Sequence, residues 1–307
     1  MTHDTHERLI GIGELARRSG VPVRTIRFYC DEGVLAARRS TGGHRMFEPV
    51  SALERLLLVR RLRAVGVGLA AIIAVVDGRR SVEDAVLGER RVVEAELAAL
   101  TWRQAALAAV ADAPPGERAR RLELVAVVRD RGRATDTVVR FWRRVLEPLT
   151  PEMFDAFVDM NVPEPIDPTS AELLAFAELV NAVGDPGLYQ AVSRQLWRAD
   201  QERITHRRAL LDGVAWACAA AGPQVVANRP PGPGPELDQF VDVHARARGE
   251  SDSPGFRRRL LSGAIDSDER VLRYWSLTAE VTGALTTGAA QQWLHGALER
   301  SVGGGPE

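Results

Sequence analysis

Apolar residues recur every three to four positions along most of the chain, and the only β-compatible runs lie within residues 34–47. Near the amino terminus Ile12, Leu15 and Ala16 fall at helical spacing, and Gly20 follows Ser19 where a left-handed residue ends a short helix. A second helix is predicted from Pro22, with Val23, Ile26 and Cys30 turned inward and Gly33 closing it. Two short helices across a tight glycine-containing turn form a helix-turn-helix. Two short β-compatible runs then flank Thr41-Gly42-Gly43, which reads as a hairpin. A longer helix follows over residues 48–66, with Leu53, Leu56, Leu57 and Leu62 inward and Gly66 as its stop, and one more short helix precedes Gly78.

From Ser81 to Ala111 the chain is proline-free and rich in Ala, Glu, Arg and Leu, which predicts a single long helix. Val86, Val93, Leu100 and Leu107 recur every seven residues, while the companion row of Arg90, Leu97, Gln104 and Ala111 is only half apolar. This describes a short, imperfect coiled coil whose candidate dimerisation residues are Val86, Val93, Leu97, Leu100 and Leu107. A surface helix packed on its own domain shows the same row. Further helical periods follow at 117–131, 134–147, 151–160, 169–183, 186–221, 236–249, 254–263, 267–285 and 288–302. The Pro/Gly-rich stretch at 222–236 reads as a linker, implying two helical subdomains or a long excursion between helices. The predicted fold is all-α with a small β-hairpin wing. It comprises a winged helix-turn-helix at 8–78, a dimerisation helix at 79–112 and a helical effector domain at 113–307.

Charge changes this picture. The 307 residues carry a net charge of −1, but residues 1–80 hold fourteen Arg against eight acids, and the remainder is correspondingly acidic. A basic segment that coincides with a helix-turn-helix is the electrostatic footprint of a nucleic-acid partner. The second helix displays Arg24, Thr25, Arg27, Phe28 and Tyr29, and the hairpin carries Arg38, Arg39, His44 and Arg45. Arg60, Arg61 and Arg63 end the next helix, and Arg17 and Arg18 lie on the first. Guanidinium groups take guanine acceptors or phosphates, and Thr and Tyr contact a thymine methyl or the backbone. All forty basic residues are Arg, the usage of a GC-rich bacterial genome.

The run I-G-E-L-A…G-V-P-V-R-T-I-R-F-Y…G-V-L…R…G-G-H-R-M-F…A-L-E-R-L…R-R-L-R-A-V-G-V-G-L-A-A-I, residues 10–76, resembles the MerR family of transcription regulators in order and spacing. The resemblance implies a recognition helix in the major groove of promoter DNA, with two wings on the flanking backbone. Carried over by position, Arg24 and Thr25 are base-edge readers, and Arg27 and Tyr29 are phosphate or groove contacts. Arg45 is the wing arginine, and Arg60, Arg61 and Arg63 belong to the second wing. His44 stands where the family has Tyr, and Phe28-Tyr29-Cys30 replaces Tyr-Tyr-acid, so the phosphate contact of a phenol is not transferred to Phe28. The resemblance also implies that the 81–111 helix pairs antiparallel in a homodimer on a palindromic site, with RNA polymerase as a partner at a distorted promoter. Residues 165–197 resemble the helical drug-binding domains of TipA-like MerR regulators.

All six Trp lie at or beyond Trp102. Phe141, Trp142, Phe176, Tyr189, Trp197, Trp216, Tyr274 and Trp275 are candidates to line a pocket for a small organic, apolar effector, although each taken singly is an ordinary core residue. A protein partner, or constitutive action, is the alternative. Only Cys30 and Cys218 are present, which argues against a disulfide framework or thiolate cage. Cys30 reads as a small buried residue rather than a redox switch. Glu202 and His206 have chelating i,i+4 spacing without a third ligand, and no phosphate loop, nucleophile elbow or paired-carboxylate motif is present. No cofactor, metal or enzymatic activity is therefore expected, and with no signal peptide or membrane-length apolar run the chain reads as cytoplasmic.

Overall fold

The computed structural model describes residues 9–263 and 268–303. They fall into two units, one ending at Ala99 and the other beginning at Leu100. Among the described residues there are fifteen α-helices, one 3-10 turn and one small sheet.

The first unit runs β1 (Ile10–Gly11), α1 (Ile12–Ser19), α2 (Val23–Asp31), β2 (Arg38–Arg39), β3 (Arg45–Phe47), α3 (Pro49–Ala64) and α4 (Leu69–Val76), and then the start of α5 (Val82–Ala111). Gly20 ends α1 at φ 68°, donating its N–H to the Ala16 carbonyl. A side chain there would be strained, which is why glycine stands at this stop. Ser19 reinforces the turn, its Oγ donating to the Leu15 carbonyl and accepting from the Val21 N–H. Glu48 caps α3 by accepting from the N–H groups of Val50 and Ser51, and Pro49 occupies the first helical position, where no N–H is needed.

The hairpin forms as expected, with Arg39 opposite Arg45 and Arg38 opposite Met46. It also gains a strand that the hydrophobic pattern did not announce. β1 pairs antiparallel to β3, Ile10 opposite Phe47, giving the order β1-β3-β2. Two residues are too few for a readable alternation. Phe47, fully buried, carries the sheet onto Leu15, Ile26, Leu35 and Leu56. A second cluster of Val34, Val59, Leu62, Val67, Ile72 and Ala85 joins α3, α4 and the start of α5, and Tyr29 packs against both.

The second unit continues α5 and adds α6 (Arg118–Val127), α7 (Arg131–Val145), α8 (Pro151–Asn161), α9 (Ser170–Ala182), α10 (Pro186–Trp197), a 3-10 turn (Gln201–Arg203), α11 (Arg207–Val226), α12 (Pro235–Arg246), α13 (Pro254–Ser262), α14 (Glu269–Thr282) and α15 (Thr287–Gly303). One contiguous core extends from Trp102 on α5 to Leu298 on α15. At its centre Phe141, Trp142, Phe157, Tyr274 and Trp275 form an aromatic cluster, and the Trp142 indole donates to Tyr274 Oη at 2.6 Å. Burial pushes the Tyr274 phenol up, keeping it a neutral hydroxyl. Trp275 lies directly on Gly288, where a Cβ would fall 2.0 Å from the indole.

Two expectations are corrected here. The stretch 186–221 is not one helix: α10 ends at Trp197, and Arg198 (φ 55°) and Asp200 (φ 54°) turn the chain before α11. The Arg248 guanidinium holds this turn, donating to the carbonyls of Trp197 (2.5 Å) and Ala199 (2.8 Å). The stretch 222–236 is likewise not a free linker. α11 continues through Gly222 and Pro223 to Val226, and the loop beyond is fastened to α15 by Trp293, whose indole donates to the Arg229 carbonyl at 2.8 Å, and by Arg300 to Pro231. Helices on both sides of the loop share one core. α11 is the one helix among the described residues long and apolar enough to cross a membrane, and its Leu210, Leu211, Val214, Ala217 and Ala221 are core residues.

Candidate functional site

α2 is amphipathic. Ile26 is fully buried, while Arg24, Arg27 and Phe28 are exposed and share one face by their i,i+3 and i,i+4 spacing. Thr25 and Cys30 are half-buried, as is Tyr29, whose ring is engaged in both small cores. Burial pushes the Cys30 thiol up, against the opposing pull of Arg45, so its reactive thiolate is disfavoured. Phe28, set aside in the sequence for lacking a hydroxyl, is an exposed aromatic, 47% accessible, on the helix face that bears the two arginines.

The expected DNA-contact arginines divide into two groups. Arg24, Arg27, Arg38, Arg39, Arg60 and Arg61 are exposed and form no ion pair among the described residues. The others are committed locally. Arg17 and Arg18 both pair with Glu14, whose carboxyl they hold below the usual carboxylate range, the Arg18 hydrogen bond contributing most. Arg63 donates to the Val67 carbonyl at 3.2 Å. Arg45 pairs with Asp31 at 2.6 Å and reaches the Arg27 carbonyl at 3.4 Å, which ties the hairpin to α2.

Arg27, His44 and Arg45 come together around a cleft of about 530 Å³ that is closed by Gly11, Ile12 and Gly13. Gly11, the last residue of β1, is the N-cap of α1, and Ile12 and Gly13 open the helix, which has no side-chain cap. An uncapped helix start beside two guanidiniums and an imidazole favours an anion, and the Asp31 carboxylate, which lines the same cleft, offsets one of those guanidiniums. The sequence placed each cation on its own element. The convergence on α1 was missed, because it depends on β1 pairing with β3, and the absence of Ser, Thr, Asp or Asn at the position of Gly11 was its only sequence signal.

A sheet-supported hairpin beside the second helix of a helix-turn-helix defines a winged helix-turn-helix, a DNA-binding class of domain. Residues 11–78 match the family described as MerR HTH family regulatory protein, and this amino-terminal unit is a MerR-type helix-turn-helix domain. The chain is similar to the protein named nodulation protein NolA of Bradyrhizobium sp. (strain NC92), 41% identical over 91 residues that cover 29% of this chain and 38% of that one. It is also similar to those of Bradyrhizobium diazoefficiens and Bradyrhizobium elkanii, each 38% identical over 91 residues that cover 38% and 41% of the relative. The match thus spans about two fifths of the length of these relatives. No solved structure matches the chain.

On α5 the expected dimerisation residues are uncovered. Val86 is 39% exposed, and Val93, Leu97, Leu100 and Leu107 are each more than half exposed. Of the eight aromatic pocket candidates, Phe141, Trp142, Phe176, Trp197, Tyr274 and Trp275 are buried in the core, whereas Tyr189 is partly exposed and Trp216 is 70% exposed. An apolar cavity of about 370 Å³ lies between α8, α11 and α15, and none of the eight lines it. Large rings fill space efficiently and so close the core, and Phe157 is the one aromatic side chain among the cavity's otherwise aliphatic and small polar walls. Glu202 lies in the 3-10 turn and His206 precedes α11, so they do not share a helix. No group of three or more His, Cys, Asp or Glu converges among the described residues.

Proposed function

We propose that this protein is a DNA-binding transcription regulator of the MerR type that reads its site with α2 and grips the flanking phosphates with the wing and the start of α1. The observation that carries this reading is the arrangement of Arg24 and Arg27 on one exposed face of α2, beside a hairpin bearing Arg38, Arg39 and Arg45. Arg24, exposed and unpaired among the described residues, is the base reader. Arg45, oriented by Asp31 beside the start of α1, is the phosphate contact. The exposed apolar row of α5 supports a homodimer, which doubles the phosphate contacts and allows a palindromic promoter site to be read. The interior cavity of the helical unit supports switching by a small organic molecule.

The test is a gel-shift series on DNA fragments recovered by mapping the genomic sites that the protein occupies. Arg24→Ala is expected to cost about 1–3 kcal/mol and to relax sequence preference. Arg45→Ala is expected to weaken binding to every sequence and to flatten the salt dependence. Unchanged binding by both variants would overturn the reading.

A further inference from the structure

The second helix of the helix-turn-helix carries a ring that its own unit does not bury. Phe28 on α2 is the one exposed aromatic among the described residues of the first unit, and it belongs to neither of that unit's small cores. Its neighbour Tyr29 packs against both cores, and the Phe28 ring leans on it with 5.8 Å between centroids and 50° between planes. The anchored tyrosine thus holds the phenylalanine outward at a set angle.

At 3.6 residues per turn, Arg24 and Phe28 both lie about 160° around the helix from the buried Ile26, so they share its outermost line, with Arg27 on the flank. A guanidinium on that line reads guanine acceptors or a phosphate. A benzene ring has neither donor nor acceptor, so it gains nothing from a phosphate or from the polar edge of a base. The apolar feature that a major groove presents is the C5-methyl group of thymine. Four residues of helix rise about 6 Å, close to the rise of two base pairs at about 3.4 Å each.

Resting on the reading that α2 enters the major groove of DNA, we infer that Phe28 is a specificity-determining residue that packs on the methyl group of a thymine, about two base pairs from the base that Arg24 reads. The contact takes the methyl group and part of the ring out of water, and one methyl-sized group buried in this way changes affinity about fourfold. A phenol at the same position would carry its hydroxyl into the apolar contact at a desolvation cost, so the missing oxygen of Phe28 suits this role.

Fluorescence anisotropy of the full chain on a DNA fragment from its mapped sites tests this. Each thymine is replaced in turn by deoxyuridine, which removes the methyl group and keeps every hydrogen-bonding group. At least one thymine is expected to be sensitive, its replacement weakening binding about fourfold, and Phe28→Ala is expected to bind the two fragments equally. Arg24→Ala, which removes a polar contact, is expected to retain the difference. Affinity unchanged at every thymine, or a penalty that persists in Phe28→Ala, would overturn the role of Phe28 while leaving a DNA-binding unit standing. Absence of binding to every fragment would overturn the DNA-binding reading as well. Should Phe28→Ala not fold, position decides: a sensitive thymine within about three base pairs of the pair that Arg24→Ala ceases to discriminate supports the contact, and one farther away overturns it.

Discussion

Arginine is used in opposite ways in the two units. In the first, Arg24, Arg27, Arg38, Arg39, Arg60 and Arg61 stand on the surface without an ion pair among the described residues, their guanidiniums available to a polyanion. In the second, Arg198 and Arg248 are 4% and 5% exposed, and Arg248 spends its donors on the carbonyls of Trp197, Ala199 and His244. The first unit thus keeps these six cations free and closes small, mainly aliphatic cores beneath them. The second draws two of its arginines inside, beside a large core rich in aromatic residues. The same side chain serves recognition where its donors face solvent and architecture where they face carbonyl groups.

The sharpest test of the contrast is Arg248→Ala, because it leaves several buried carbonyls without donors and releases the turn at Arg198 and Asp200. A loss of about 3–5 kcal/mol is expected. All six Trp lie in the second unit, so urea unfolding followed by Trp fluorescence reads that unit selectively. A midpoint unchanged by the substitution would show that the inward arginine is dispensable.

Next in size is the double substitution Leu97→Glu with Leu100→Glu on the exposed row of α5. Light scattering is expected to show monomers, and DNA affinity to fall by on the order of 100-fold as half of the phosphate contacts are lost. A persistent dimer would assign that face of α5 to another role.

A smaller effect distinguishes the two units by pH. Burial, reinforced by Arg198 and Arg248, holds the His244 imidazole well below its ordinary range, so it stays neutral when folded and takes up a proton on unfolding. The unfolded chain then binds the extra proton below about pH 6.5, and stability falls as pH is lowered, by up to about 1.4 kcal/mol per pH unit. The Trp-monitored midpoint should show this slope between pH 6.5 and 5, and His244→Gln should reduce it.

The smallest expected effect is at Asp31, whose exposed carboxylate offsets Arg45, the proposed phosphate contact. Asp31→Asn is expected to strengthen DNA binding by about 0.2–1 kcal/mol at low salt, an advantage that fades as salt is added. Weaker binding would mean that orientation of Arg45 outweighs the charge it loses.

The two units also differ in how much of them could be read from the chain. The helix-turn-helix and hairpin were legible because their determinants are local: Gly20 as a stop, Ile26 at helical spacing, and two glycines between short apolar runs. The cleft at the start of α1 was only half legible, since its cations are evident but their meeting there depends on the Ile10–Phe47 pairing. The cavity between α8, α11 and α15 was not legible. Aromatic content pointed to Trp142, Tyr274 and Trp275, which fill the core, while the cavity is walled mainly by aliphatic residues, with Phe157, from distant helices.

The chain by itself determined where helices of the first unit begin and end, which of its arginines lie outward, and which face of α5 is apolar, because capping, periodicity and glycine conformation act over a few residues. Tertiary structure alone decided the break between α10 and α11. No proline or glycine marks residues 198–200, and the turn exists because Arg248, some fifty residues later, binds the carbonyls it exposes. It also decided that Gly222 and Pro223 lie within a helix and that α8, α11 and α15 enclose an apolar cavity. Each is a balance between a local preference worth about a kilocalorie and long-range contacts that together exceed it.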